Sequence, residues 1–466
     1  MVDRSEQEWL TYLISQHDQQ KQPLLNLDAY YEGTQLLSYM APELLAEMDN
    51  RIRQVVINWP RLIVDSVEER LDVEGFRFPG KAKADPGLWE IWQANDLDEE
   101  SQLGHLDALV MKRSFAIAGS NEDDEEIPLI TVESPLEVHV EYDPRTRKVA
   151  AAIKRWCVEE GTTKTEFANL YLPDTRVTFQ KEKGQWVEVD RDDHNLGVVP
   201  VVPLVNRPRT RNRGGVSELA DVIPLSDAAC KIATDMMVSA EYHAVPRRVA
   251  FGFSEEDFTD IDGNPVSAFS RVVGRVWATM KSRGGPDGAD VVQFPEASLN
   301  NFHETINALA KLVASLSGLP PHFLGMTTDN PASADAIRSS EIRLIKRAER
   351  RQRTFGGSWE QVQRLALRIR DGEWNPDARR LETVWRSAAT PTEAQSADAA
   401  VKRFQAGIVP LRQTREDLGY SETQIALMEE ADQAADPMNR LLPPKPPPVP
   451  GPVPPEDAAA GPPPAA

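Results

Sequence analysis

Residues 299–331 read LNNFHETINALAKLVASLSGLPPHFLGMTTDNP. Leu299, Phe302, Ile306, Leu309, Val313 and Leu316 recur at intervals of 3, 4, 3, 4 and 3, which sets one apolar side chain per turn on a single helical face. Such a stripe has to be buried. One helix has too little surface within its own chain to cover it, so neighbouring copies are expected to supply the rest. Gly318 offers the left-handed residue that closes a helix, and Pro320-Pro321 prevent its continuation. The loop that follows, Gly325-Met-Thr-Thr-Asp-Asn330, has no Lys, no Arg and no apolar stripe, and is expected to project. Asn330-Pro331 then pairs a good cap with proline at the first helical position. The helix it starts should run to about Ile369, with Gly356-Gly357 predicting a kink.

On the N-terminal side, Leu225, Ala229, Ile232 and Met236 mark a second helix, with Ser217 placed to cap it and Glu218 and Asp221 suited to its N-terminus. Residues 245–294 between the two helices break into short strand-like pieces rich in Gly and Pro. Upstream the period is two: Leu129–Val132, Leu136–Tyr142, Val149–Val158, Phe167–Leu172 and Val177–Val189 alternate as antiparallel strands separated by turn residues. Before them the pattern is helical, over Glu6–Arg53 with Gly33 and Pro42 as punctuation, over Pro60–Leu71, and over Leu88–Met111. After the long helix, Leu381–Trp385 reads as one returning strand, and Thr392–Ala434 as short helices broken at Gly407 and Gly419. The last 24 residues hold 12 prolines and should be an extended linker or decoration. The fold class is α+β.

The 466 residues carry 52 Lys and Arg against 73 Asp and Glu, a formal charge of -21. That balance excludes a surface that clings everywhere to nucleic acid or anionic membrane, so any DNA contact is local or weak. Cys157 and Cys230 are the only cysteines, too few for a disulfide framework or a structural zinc site. No window has the roughly 18 consecutive apolar residues of a membrane span, and Met1–Leu10 carries three acids where a signal peptide would be basic. A soluble protein made in a cytoplasm is expected. Gly75 to Gly80-Lys81 has phosphate-loop spacing, but Ala82 replaces the hydroxyl needed for Mg²⁺ and Pro79 removes an amide from the cradle. No nucleophile elbow or His-Glu-x-x-His pair is present, and the seven histidines are scattered. Catalytic, metal and cofactor sites are therefore assigned to no residue. The run Glu122–Glu126 reads as a solvated acidic loop.

Four segments carry a family resemblance: Leu27-Asp-Ala-Tyr-Tyr-Glu-Gly33 with Asn58-Trp-Pro-Arg61 and Val64-Asp-Ser-Val-Glu-Glu-Arg-Leu71; Leu196-Gly-Val-Val-Pro-Val-Val-Pro203 with Asn206-Arg207; Gly318-Leu-Pro-Pro-His-Phe-Leu-Gly325; and Pro331-Ala-Ser-Ala-Asp-Ala-Ile-Arg-Ser-Ser-Glu341. In this order they resemble the portal proteins of long-tailed double-stranded DNA phages, particularly those infecting actinobacteria.

The resemblance implies a β-rich wing (1–216), two stem helices (217–243 and 296–318) around a small clip (244–295), a tunnel loop (319–334), a long kinked helix (335–372), a wing return (373–390), a helical crown (391–435) and a Pro-rich tail (436–466). It implies a ring, usually of twelve subunits, at one capsid vertex of the virion, assembled in the host cytoplasm. Its expected partners are further copies of itself, double-stranded DNA in the channel, the terminase large subunit, a head-completion adaptor, and the major capsid and scaffolding proteins. No membrane or cofactor is implied.

Thr327, Thr328, Asp329 and Asn330 would face DNA in the tunnel loop. Arg338, Arg343, Lys346 and Arg347 on the long helix would either approach DNA or pair with acids of neighbouring subunits. Two rival readings are a nucleotide-using enzyme, which needs the hydroxyl missing at Ala82, and another structural head protein, a capsid or connector component, which would not be expected to show this order of stem, loop and long helix.

Overall fold

The computed structural model describes residues 4–36, 55–81, 83–161, 163–244, 248–251, 290–293, 298–326, 334–389, 393–420 and 422–435. The chain divides into two compact units, residues 1–388 and 389–466.

The first unit opens with α1 (Glu6–Glu32), started by a reciprocal capping box between Ser5 and Glu8 and ended by Gly33 at φ 73°. Gly33, read as punctuation in the helical pattern of residues 6–53, closes this first helix at Glu32; residues 37–54 lie outside the described residues. Helix α2 (Trp59–Glu68) is capped by Asn58, whose side chain accepts from the Arg61 N–H, and has Pro60 in its first turn. Strand β1 (Val73–Arg77), α3 (Pro86–Ala94) and α4 (Leu97–Met111) follow.

Strands β2 (Arg113–Gly119), β3 (Leu129–Glu133) and β9 (Val201–Val205) form an antiparallel sheet in the order β3-β2-β9. Strands β4 (Val138–Tyr142), β5 (Val149–Glu160), β6 (Thr163–Tyr171), β7 (Arg176–Glu182) and β8 (Gln185–Asp192) form a five-stranded meander. Trp9, Leu10 and Leu13 of α1 pack with Ile153, Leu170 and Val177 of that sheet.

Helices α5 (Ile223–Ala244) and α6 (Asn300–Ser317) lie against each other. Helix α5 begins at Ile223, so Ser217 stands upstream of it and does not cap it. Between the two helices only β10 (Arg248–Phe251) and β11 (Asp290–Gln293) are described, paired antiparallel. Helix α6 ends where expected, at Gly318 with φ 70°, and a short 3₁₀ turn over Pro321–Leu324 follows.

Helix α7 (Ala334–Asp371) spans 38 residues, about 57 Å at 1.5 Å per residue. It runs without interruption through Gly356-Gly357. Gly356 serves a close approach: a Cβ there would stand 3.0 Å from the Trp385 indole nitrogen. Trp385 belongs to β12 (Glu382–Trp385), the returning strand, which pairs antiparallel with β1. The main core gathers around α7. Trp359 meets Trp92 edge-on at 5.0 Å, and its indole N–H donates to His105 Nε2 at 2.8 Å. His105 stacks on Phe355 at 5.2 Å between ring centroids and is fully buried.

The second unit contains α8 (Glu393–Gln405), α9 (Leu411–Asp417) and α10 (Glu422–Ala435). Left-handed Gly407 and Gly419 break it at the two expected places. Arg412 pairs with Glu429 at 3.0 Å and Arg415 with Asp432 at 2.6 Å, joining α9 to α10.

Candidate functional site

After β9 the chain makes a basic excursion, Asn206–Val216, pinned tightly at its base. The Asn206 N–H donates to the Lys112 carbonyl at 2.9 Å, and its side-chain amide donates to the Val216 carbonyl at 2.8 Å. Gly215, at φ 83°, completes the base, since a Cβ there would lie 2.5 Å from the Lys112 oxygen and 2.6 Å from that of Asn206. The following turn is fixed by the Glu218 N–H, which donates to the Leu109 carbonyl at 2.9 Å.

That turn buries the Glu218 carboxylate completely. Arg351 Nε donates to Glu218 Oε1 at 2.8 Å, Arg351 Nη2 bonds the same oxygen, and Arg347 Nη2 bonds Oε2. Burial pushes the Glu218 carboxyl up, but the Arg347 and Arg351 guanidiniums outweigh it and hold the group below the usual carboxylate range. Arg207 bonds Asp221 at 2.8 Å and stands 4.0 Å from Glu218. A carboxylate read from the sequence as complementing a helix N-terminus is in fact the counter-ion that docks α7.

Above this buried pair a cleft of about 700 Å³ opens between the excursion and α7. Arg207, Arg209, Arg347, Arg350, Arg351 and Arg353 line it, with Val216, Thr354 and, from α6, Leu316. Six arginines against Glu218 and Asp221 leave four positive charges in a chain whose total is -21. Arg209, Arg350 and Arg353 are exposed and make no ion pair among the described residues. Guanidinium forks so arranged bind carboxylate or phosphate, and they do so bidentately where geometry allows.

The residues singled out from the sequence are distributed unevenly around the cleft. Arg347 lines it and is paired to Glu218 of its own chain. Arg343 donates to the Ser315 carbonyl at 3.0 Å, tying α7 to the end of α6, and Lys346 pairs with Glu349 on the next turn. Arg338 lies on α7, with its side chain outside the described residues. Thr327, Thr328, Asp329 and Asn330 lie outside the described residues.

Along α6, Val313 is buried, whereas Leu299, Phe302, Ile306 and Leu309 are half-buried. Leu316 is 55% exposed, and Leu312, one turn earlier, is 52% exposed. Gly75, read against a phosphate loop, sits inside β1 and in register with Val384, while Ala82 lies outside the described residues. The sequence displayed both arginine runs but gave no sign that they face each other; the two acids Glu218 and Asp221 between Val216 and Ile223 were the available signal.

The chain matches the family described as "Phage portal protein, SPP1 Gp6-like" over residues 10–438. This chain belongs to the phage portal protein family. Among its relatives is the portal protein of Mycobacterium phage D29, 39% identical over 432 residues, covering 90% of this chain and 87% of that one. The portal protein of Mycobacterium phage L5 is 38% identical over 431 residues, with the same coverage. In solved structures, the chain resembles one from the virion of a native gene transfer agent particle, at 14% identity and TM-score 0.45, covering 83% of this chain and 95% of that one. It resembles another from the neck of an empty particle of that agent, at 15% identity and TM-score 0.46 with the same coverage. The assignment to the portal family rests on the sequence matches. Portal proteins are structural components of tailed phages, and this chain is one of that family.

Proposed function

We infer that this chain forms a closed ring at one capsid vertex, through which double-stranded DNA enters during packaging and leaves during ejection. The observation that carries this reading is the incomplete cover of α6 in a portal-family chain: Leu316 of the stripe and the neighbouring Leu312 stay more than half exposed although Val313 beside them is buried. A second copy placed beside the first would cover them.

In this reading, residues 1–216 with 373–390 are the wing, 217–243 and 296–318 the stem, 244–295 the clip, 319–334 the tunnel loop, 335–372 the long helix and 391–435 the crown. The clip meets the terminase large subunit during packaging and the head-completion adaptor afterwards, and the outer surface meets the major capsid and scaffolding proteins. No helix among the described residues is long and apolar enough to cross a membrane. The charge suits transit. Each phosphate neutralised by a fixed cation adds affinity that the packaging motor has to break, and a subunit with a formal charge of -21 limits such contacts.

Thr327, Thr328, Asp329 and Asn330 are the loop residues nearest the DNA, contacting it through hydroxyl, amide and backbone groups that position without gripping. Substituting Thr327→Lys, Thr328→Lys and Asp329→Lys together is expected to leave rings intact by microscopy. Nuclease-protected DNA should fall, more at low salt than at high, because added phosphate contacts are screened. Normal packaging at every salt concentration would place the constriction elsewhere.

A further inference from the structure

The arginine cleft has a complement on the same chain. The connection from β2 to β3 carries Glu122, Asp123, Asp124, Glu125 and Glu126 in succession, all five exposed. None of them makes an ion pair among the described residues. The turn is held by its own side chains: the Asp123 N–H donates to Asn121 Oδ1 at 3.0 Å, and the Glu126 N–H to Asp124 Oδ1 at 2.9 Å. Three residues beyond the run, Leu129 is 47% exposed. Five negative charges beside an open leucine thus match a cleft with four net positive charges beside the open Leu316.

The two features stand apart within one chain. Glu126 lies by Arg370 near the C-terminal end of α7, where that guanidinium is bonded first to Asp371 and attracted also by Asp85 and Glu126. The cleft lies around Arg347–Arg353. From Arg353 to Arg370 is about 25 Å of rigid helix.

The cleft volume, about 700 Å³, is that of a pocket for a short segment. A DNA duplex is a broad convex rod that would reach only the rim, and its backbone has no use for Leu316 and Val216.

We propose that the acidic turn Glu122–Glu126 of one copy inserts into the arginine cleft of the adjacent copy, where it meets Arg209, Arg350 and Arg353 and brings Leu129 towards Leu316. A contact between two different patches of identical subunits runs head to tail and closes into a ring when the rotation permits. The inference rests on the ring reading given above and adds which surfaces make the joint.

The test uses the full-length chain with two sets of charge reversals, Arg350→Glu with Arg353→Glu, and Glu122→Lys with Asp123→Lys and Asp124→Lys. Ring fraction is read by mass photometry and negative-stain microscopy at low salt. Each set alone should lower it about tenfold or more, since like charges are then opposed across the joint, and both sets together should restore it to within about threefold of wild type. Monomer melting temperatures are compared in parallel. Should a reversal lower the melting temperature, the milder pair Arg350→Gln and Arg353→Gln carries the same expectation at smaller amplitude.

Rings of wild-type abundance from the cleft variant overturn the proposal; if its binding to duplex DNA falls at the same time, the cleft is a nucleic-acid surface instead. Failure of the combined variant to recover rings overturns it as well. A wild-type chain that forms no rings removes the ring reading itself, a result seen before any variant is compared.

Discussion

Helix α6 and the second half of α7 are both amphipathic and both belong to the first unit, yet their apolar faces are finished differently. On α7, Phe355, Trp359, Val362, Leu365 and Ala366 are all buried, because β2, β9, β12 and α2 surround the helix. On α6, Val313 is buried while Leu312 and Leu316 remain more than half exposed. The spacing of apolar residues states that a face is to be covered; it does not state by what. Where sheets and helices of the same chain converge, the face becomes core. Where a helix lies against one partner, as α6 does against α5, part of the stripe is left for another molecule.

The largest effect should come from the finished face. Trp359→Ala removes the edge-on contact to Trp92 and the donor to His105, and should cost about 3–5 kcal/mol of stability, measured by denaturant unfolding. A loss under about 1 kcal/mol would break the comparison, since α7 would then be no better anchored than an exposed helix.

A smaller effect should follow pH. Burial pushes the His105 imidazole down to about 3, against 6.5 when free. The folded state therefore resists protonation, and the stability present above pH 6.5 is lost progressively as pH falls towards 3. Between pH 7 and pH 5 the loss from this group should be about 2 kcal/mol. Glu68 acts in the opposite sense: burial, then Asp72 and Asp65, raise it to about 7, so its destabilising charge is relieved on acidification. His105→Gln should thus be less sensitive to acid than wild type when thermal unfolding is followed from pH 7 to 5. Equal slopes would show that His105 is not the buried neutral group described.

How much could be read in advance depended on whether one face of an element meets water. The end of α6 at Gly318, the return strand β12 and the breaks at Gly407 and Gly419 were legible, because glycine and proline act locally. The end of α1 was legible for the same reason, since Gly33 stood as punctuation in the pattern and its left-handed backbone closes the helix. Strand β2 was not among the expected strands. Arg113 to Ala118 are all buried, so the segment shows no alternation. The cleft was out of reach for another reason: Arg207 and Arg209 meet Arg350 and Arg353 only through the burial of Glu218, a pairing across more than 120 residues.

The stability effect expected on the unfinished face is the smallest, and its effect on assembly is the most direct test of the ring account. Leu312→Glu with Leu316→Glu changes two exposed side chains and should alter monomer stability by no more than about 0.5 kcal/mol each. The decisive measurement is the mass of the wild-type and doubly substituted chains in solution, with microscopy of the same samples. Wild type should form closed multimers of the 52.0 kDa subunit with an axial hole, and the double variant should remain a folded monomer. A wild-type chain that stays monomeric at every concentration and salt, or a double variant that assembles as wild type does, would contradict the account.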